Sequence, residues 1–273
     1  MGRALRTILL PIVRICHRPT LEGIENLPTS GAYMLVANHS GGIATAEISC
    51  FAALYAEKVG IEKPIAGFAH VAAFSVWPIS MVLRNLGAVP STAAAGEAVL
   101  RSGVAVLIFP GGDHEASRPI WQAHRVDFNG RVGFLKMARK TRVPIVPMGI
   151  RGAHFTAPIL WRSDWLLPKL FLVPWLLGLK RYPISLLGVL VAAAILIGLD
   201  WALPWRILLV WGWFATAALP LLAWVPATIR MRIGPAIAPE ELFSEGDEPA
   251  PGELPAALDR VQGAVQALVS RRA

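Results

Sequence analysis

The chain has 273 residues, enough to bury a full core as one domain or two small ones, and 55% of them are hydrophobic. The net charge of +8 attracts anionic partners, but basic residues form nothing longer than pairs such as Arg139-Lys140, which favours a membrane surface and excludes nucleic acid as the expected partner. Cys16 and Cys50 provide neither a disulfide framework nor metal-ligand spacing, so a reducing environment is expected.

The chain begins with an apolar run, Ile-Leu-Leu-Pro-Ile-Val at 8–13, that follows Arg3 and Arg6. This run resembles a signal peptide in outline, but no small-residue cleavage site follows it and Arg14 interrupts it. We therefore predict that residues 1–20 form a retained amphipathic helix that lies on the membrane surface.

Short apolar runs then alternate with helical stretches, a pattern that predicts an α/β fold. The predicted strands cover residues 32–37, 64–69, 104–109, 144–149 and 228–233. The predicted helices cover residues 45–59, 74–86, 93–102, 130–141 and 254–271. Thr45 is the predicted N-cap of the first of these helices.

The segment 161–226 interrupts this alternation. Between Tyr182 and Ile229 the only charged residues are Asp200 and Arg206, and eight of the ten tryptophans lie within 161–224. Its two uncharged stretches have 17 and 19 residues, which predicts an inserted hydrophobic helical hairpin in contact with a bilayer. Glycines and prolines leave open whether the hairpin crosses the bilayer or re-enters, and a helical pair buried in a globule is the alternative.

Basic residues flank the two uncharged stretches on both sides: Lys169, Lys180 and Arg181 precede them, and Arg230 and Arg232 follow them. Because such flanks tend to stay cytoplasmic, the expected location is the inner membrane, with the predicted α/β fold facing the cytoplasm.

His39 follows an apolar, strand-like run and precedes a glycine-rich loop, in the sequence Tyr-Met-Leu-Val-Ala-Asn-His-Ser-Gly-Gly at 33–42. An imidazole has an unperturbed pKa of about 6.5, so it can take a proton from an alcohol and return it within one turnover. The alternative is a histidine that makes a structural hydrogen bond.

Three motifs, in order, resemble blocks of the glycerolipid acyltransferase family: VANH at 36–39, IFPGGDHEASRP at 108–119 and VPIVP at 143–147. The connecting stretches 21–28, 86–90 and 230–234 are similar to the family as well. The resemblance implies a mixed sheet flanked by helices, formed by residues 21–160 and 227–273. It also implies O-acyl transfer to the hydroxyl of a lysophospholipid or other glycerolipid acceptor, with His39 as the base. Acyl-CoA or acyl carrier protein would be the co-substrate, and no cofactor would be bound.

The sequence departs from the family's pattern after His39. The family places an aspartate five positions after this histidine, where the present chain has Ala44. Glu47 is the nearest carboxylate, and we predict that it orients His39 if the helix begins late. The alternative is that Glu47 serves only the helix dipole in the first turn.

A second departure lies at Gly111, where better-known members have a glutamate. The Gly-Gly pair followed by an acid and Arg-Pro resembles a sub-branch that includes diacylglycerol acyltransferase-like proteins. The amides of Gly111 and Gly112 are predicted to face a phosphate or an oxyanion. Further candidates for acceptor binding are Arg84, Asp113, Glu115 and Arg118, and a plain turn with surface arginines is the alternative. The histidines show no spacing typical of a metal site.

Two other functions compete with acyl transfer. Since Ala44 and Gly111 replace expected carboxylates, the chain could be a catalytically silent lipid-binding protein on the same fold. An ester hydrolase is the other alternative, although the sequence contains no Gly-x-Ser-x-Gly nucleophile motif.

Overall fold

The computed structural model of the protein describes residues 5–39, 46–75, 77, 79–176, 178–216, 219–223, 225–246 and 248–271. The expectations for Ala44, and for Thr45 as an N-cap, lie outside these residues.

Nine strands are present in the described part of the chain: β1 (Thr20–Glu22), β2 (Met34–Ala37), β3 (Ile65–Ala69), β4 (Ala88–Pro90), β5 (Ala105–Ile108), β6 (Ile145–Arg151), β7 (Ile159–Ser163), β8 (Tyr182–Ser185) and β9 (Arg230–Ile233). Seven of them form one sheet in the order β1-β9-β6-β2-β5-β3-β4, and β7 pairs with β8 separately. Every neighbouring pair of the large sheet is parallel except β6 and β9, which are antiparallel. The predicted mixed α/β fold is confirmed.

Twelve α-helices lie in the described segments: α1 (Leu10–His17), α2 (Ala46–Lys58), α3 (Ile79–Asn85), α4 (Ala93–Arg101), α5 (Gly112–Ala116), α6 (Gly133–Thr141), α7 (Leu166–Leu170), α8 (Val173–Leu176), α9 (Leu186–Gly198), α10 (Leu203–Ala215), α11 (Pro239–Leu242) and α12 (Glu253–Ser270). A π-helical turn, Leu5–Leu9, precedes α1. Short 3-10 helices occur at Ile24–Asn26, Val71–Ser75, Ile120–Gln122, Ala153–Phe155 and Leu219–Leu221.

Helices cover both faces of the large sheet. All four residues of β2 are buried: Leu35 and Ala37 belong to the core on the side of α1 and α2, whereas Met34 and Val36 belong to the core on the side of α6 and α12. A parallel strand that is covered on both faces needs apolar residues at every position, and this explains the unbroken apolar run before His39. The carboxyl ends of β2, β5 and β6 meet at one edge, where the candidate residues lie.

The predicted strands of the large sheet are all present, with ends that differ by up to two residues. Two strands at the margins, β1 and β4, were not predicted, because three residues each are too short to show a periodic pattern. The helix predicted over 74–86 is divided, with the 3-10 turn Val71–Ser75 preceding α3.

The predicted long apolar hairpin is not found. Its place is taken by α9 and α10, which have 13 residues each. Residues 182–185 form β8 instead of continuing the first helix, and Ser185 caps α9 by accepting a hydrogen bond from the Gly188 amide at 2.9 Å. Thirteen residues extend about 20 Å, against about 30 Å for a hydrocarbon core. Among the described residues, no helix is both long enough and apolar enough to span a membrane.

Candidate active site

The segment that leaves β2 is fixed to the neighbouring strand by Asn38. Its side-chain amide donates to the Ile150 carbonyl at 2.9 Å, and its side-chain oxygen accepts from the Ile150 amide at 2.7 Å. Both groups are buried, so these two bonds hold the end of β2 against β6 just before His39. Asn38 was not among the predicted site residues, although a polar residue directly after a buried strand was the available signal.

His39 and Glu47 are brought together. The Nδ1 atom of His39 lies 2.8 Å from Oε1 of Glu47, which stands in the first turn of α2. The Glu47 side chain is fully buried, whereas the His39 side chain is 15% exposed. The imidazole also stacks on Phe109, which follows β5, with ring centroids 4.6 Å apart. Because Nδ1 is engaged with a carboxylate, Nε2 is the ring nitrogen left for another partner.

The Glu115 carboxylate lies beneath this segment and is also fully buried. Its Oε2 atom accepts a hydrogen bond from the main-chain amide of His39 at 2.8 Å, and its Oε1 atom accepts one from the amide of Asp127 at 2.9 Å. Nη1 of Arg118 lies 3.4 Å from Oε1, and Nη2 of Arg118 lies 3.5 Å from the His39 carbonyl oxygen. The Arg118 guanidinium also donates to the Arg125 carbonyl. The buried ion pair of Glu115 and Arg118 therefore contacts both main-chain polar groups of His39: Glu115 contacts the amide, and Arg118 contacts the carbonyl oxygen.

Burial dominates the electrostatics of this cluster. It raises the pKa of Glu115 to about 7, although Arg118 and the amides of Asp127 and His39 act to lower it. Burial also lowers the pKa of His154 to about 3, so this ring is neutral near pH 7. Its Nε2 atom has no hydrogen-bond partner among the residues that the structure describes.

These contacts correct the prediction that Glu115 and Arg118 hold the acceptor. Both side chains are at most 1% exposed, and their polar atoms are directed to protein groups. In this structure they shape the main chain that carries His39 and present no surface to a lipid head group.

Asp113 also has protein partners. Its carboxylate accepts hydrogen bonds from Arg131 at 2.5 Å and from Arg181 at 2.9 Å. Burial acts to raise the pKa of Asp113, but the two guanidinium groups outweigh it and hold the pKa below its usual range. Arg181 lies in the segment 161–226, which we call the insertion, and Arg131 lies in the rest of the chain, which we call the main domain, so Asp113 joins these two parts. The residue after Asp113 is also contacted from the insertion: Arg162 donates to the His114 carbonyl at 3.0 Å.

The two glycines of the block behave differently from the prediction that both amides face a ligand. The Gly112 amide donates to the Phe109 carbonyl at 3.0 Å, so it is already engaged in the turn that starts α5. Gly112 has a φ of +47°, a conformation that favours glycine. Gly111 has an ordinary helical conformation, with φ of −64° and ψ of −27°.

Arg84 is not brought to this cluster. It lies on α3, where its guanidinium stands 5.6 Å from the centre of the Phe74 ring. No group of three or more possible metal ligands occurs within the described ranges.

Comparison with known proteins shows which sequences and which fold the chain resembles. The sequence model of the acyltransferase family matches residues 18–151, a stretch that holds His39, Glu47 and all of α5. Uncharacterized proteins from Mycobacterium bovis and Mycobacterium tuberculosis are 28% identical over 181 residues, which are 66% of this chain and 48% of theirs. A protein from Mycobacterium leprae is likewise 28% identical and is covered to 49%. The chain therefore spans about half the length of the curated relatives it matches.

The fold is similar to a crystal structure of PlsC, the 1-acyl-sn-glycerophosphate acyltransferase of Thermotoga maritima. The TM-score is 0.50, and the match covers 97% of this chain and 81% of that one, at 17% sequence identity. Identity this low shows the fold alone. The sequence match through residues 18–151 and this likeness in fold both support the acyltransferase family for that part of the chain.

Proposed function

We propose that this protein transfers a fatty acyl group from a thioester, acyl-CoA or acyl carrier protein, to the hydroxyl of a lysophospholipid or other glycerolipid. The observation that carries the proposal is the 2.8 Å contact between His39 and the buried Glu47 at the carboxyl edge of the sheet. The Gly-Gly block supports the sub-branch that resembles diacylglycerol acyltransferase-like proteins.

In the proposed reaction, Glu47 holds the Nδ1–H of His39 and leaves Nε2 free to act as a base. Nε2 takes the proton of the acceptor hydroxyl while the hydroxyl oxygen bonds to the thioester carbonyl carbon. The tetrahedral intermediate then collapses, the C–S bond breaks, and the proton on Nε2 passes to the departing sulfur. A carboxylate that is fully buried keeps the ring in one orientation throughout these steps.

We further propose that the enzyme works at the cytoplasmic surface of the inner membrane. The support is the apolar surface of the insertion, which we define by six residues that are each more than half exposed: Trp165, Trp175, Ile197, Trp201, Trp205 and Leu208. Exposed apolar surface on this scale, rich in tryptophan, is typical of contact with a bilayer interface. Ile8, Ile12 and Ile15, at and before α1, are exposed as well and extend the apolar contact to the beginning of the chain.

The experiment is an acylation assay with the full chain, labelled acyl-CoA or acyl carrier protein, and a panel of lysophospholipids and diacylglycerol in mixed micelles. His39→Ala is expected to lower product formation by at least about 100-fold, because it removes the base. His124→Ala replaces an exposed histidine of the same chain and serves as the matched control.

Three outcomes would contradict the proposal. Equal acyl transfer by the wild type and His39→Ala would remove His39 as the base, whereas no acyl transfer by the wild type with any donor would favour the silent lipid-binding protein. Release of free fatty acid without any acceptor alcohol would favour the hydrolase.

A further inference from the structure

Gly111 is a glycine for a reason other than backbone conformation. Its φ of −64° and ψ of −27° are accessible to any residue. A Cβ atom at this position, however, would overlap the Cγ, Cδ and Oε2 atoms of Glu115. The missing side chain therefore leaves a space, and the Glu115 carboxylate fills it.

From this space the carboxylate reaches the main chain of His39. Oε2, the oxygen nearest Gly111, is the atom that accepts the His39 amide at 2.8 Å. The other oxygen accepts the Asp127 amide at 2.9 Å, so both oxygens are committed to backbone groups. Arg118 lies beside the carboxylate in the same buried pocket. Each partner has a fixed direction, which leaves the carboxylate little freedom to move.

We infer that Glu115 is a positioning residue for His39, and that Gly111 is glycine to admit its carboxylate. Glu47 orients the imidazole ring, whereas Glu115 fixes the main chain from which the ring projects. Two carboxylates from α2 and α5 thus define the place of one imidazole. The inference rests on the proposed function for its effect on turnover, but the contact itself can be tested independently.

The first two variants displace the carboxylate from the His39 amide in different ways. Gly111→Ala leaves Glu115 in the sequence but puts a methyl group where its carboxylate lies. Glu115→Gln keeps the volume but leaves one acceptor oxygen for two backbone amides, those of His39 and Asp127, so the side chain can no longer hold both. We expect each to lower kcat by about 100-fold with KM changed by less than about threefold, since a displacement of about 1 Å at a catalytic group has this effect.

A double variant, which we call the swap, then supplies the carboxylate from position 111 in place of position 115. In an aspartate the carboxylate oxygens lie two bonds from Cβ, so Gly111→Asp combined with Glu115→Ala can place an oxygen near the present Oε2. We expect the swap to recover kcat to within about tenfold of the wild type. The matched control, Gly111→Ala combined with Glu115→Ala, fills the space without a carboxylate and is expected to stay low. All variants are compared by thermal unfolding first, because removal of Glu115 leaves Arg118 buried without its partner.

A spectroscopic readout separates positioning from a general loss of structure. The chain has six histidines, so selective ¹⁵N-histidine labelling gives six main-chain amide signals, and His39→Ala assigns one of them. The His39 amide signal is expected to move upfield in Gly111→Ala and Glu115→Gln and to return in the swap, while the signals of exposed histidines such as His124 stay in place.

Wild-type kcat in Gly111→Ala, or equal kcat in the swap and its control, would overturn the inference. If the wild type itself shows no acyl transfer, the proposed function fails, and the amide signal alone then decides whether Glu115 holds His39. An unchanged His39 signal in both single variants would overturn the positioning role whatever the activity.

Discussion

At the scale of single residues, the contact between His39 and Glu47 depends on where α2 begins. Glu47 follows His39 by eight positions, yet its carboxylate lies 2.8 Å from the ring. Because α2 is already helical at Ala46, a carboxylate in its first turn can reach back to the strand end that carries His39. The sequence allowed Glu47 to be predicted as a partner of His39. Whether Glu47 contacts the ring or serves only the helix dipole depends on the three-dimensional course of the backbone between the two residues, which the sequence does not give.

Glu47→Gln is expected to lower kcat by about 100-fold or more while KM changes little, because the amide does not hold the ring tautomer as the carboxylate does. Steady-state kinetics with varied acceptor concentration measure both constants. Glu57→Gln provides the control, since Glu57 lies on the same helix and pairs with Arg14 at the surface. Unchanged kcat in Glu47→Gln would remove this residue from the mechanism.

At the scale of elements, the sequence predicted the strands that are covered on both faces and missed those at the margins. β2 and β5 are apolar throughout, and β6 is apolar up to its last residue, Arg151, because helices cover both of their faces, and this leaves a clear pattern. β1 and β4 have three residues each and leave none. The same reasoning failed for Glu115 and Arg118, because a charged residue in a glycine-rich block looks like a surface residue until its partners are known. The partners of Glu115 come from 76 positions earlier, at His39, and 12 positions later, at Asp127.

Packing of α12 on β6 depends on another glycine. A Cβ atom at Gly149 would lie 2.5 Å from Cβ of Leu268 and 2.8 Å from the Val269 nitrogen, and the latter is main chain that cannot rotate away. Gly149→Ala is expected to destabilise the protein by about 1–3 kcal/mol through overpacking. Urea unfolding followed by circular dichroism measures this change.

Gly263→Ala is the matched control on α12. Gly263 is an exposed helical position with open space around it, so alanine is expected to stabilise the protein by about 0.5–1 kcal/mol. Equal shifts of the urea midpoint in the two variants would show that α12 does not lie against β6 as described.

At the scale of the whole molecule, apolar surface is concentrated in one part of the chain. The tryptophan cluster and the lack of charge in the sequence fall in this same part of the chain, whereas the exposure of the side chains is seen only in the structure. The length of the helices could not be predicted, because the uncharged stretches give no sign that residues 182–185 pair with β7 as a strand. Composition thus indicated which part of the chain is apolar, whereas the pairing of β8 with β7 determines where the first helix begins.

The full chain is expected to co-sediment with vesicles of phosphatidylcholine and phosphatidylglycerol more strongly than with phosphatidylcholine alone, because the net charge is +8. Trp201→Glu combined with Trp205→Glu is expected to weaken this binding by about tenfold or more. Trp121→Glu alters a tryptophan that is 67% exposed outside the insertion and serves as the control. Equal loss in the control and the double variant would argue against the insertion as the contact surface.

The carboxylate of Asp113 has a mechanical consequence for the molecule. One of its oxygens binds Arg131 of the main domain and the other binds Arg181 of the insertion. Asp113 lies on α5, two residues before Glu115. The same short helix therefore accepts the hydrogen bond from the His39 amide and forms the ion pair with Arg181 of the insertion. A change at the contact between Asp113 and Arg181 would therefore also act on the helix that supplies Glu115 to the His39 amide.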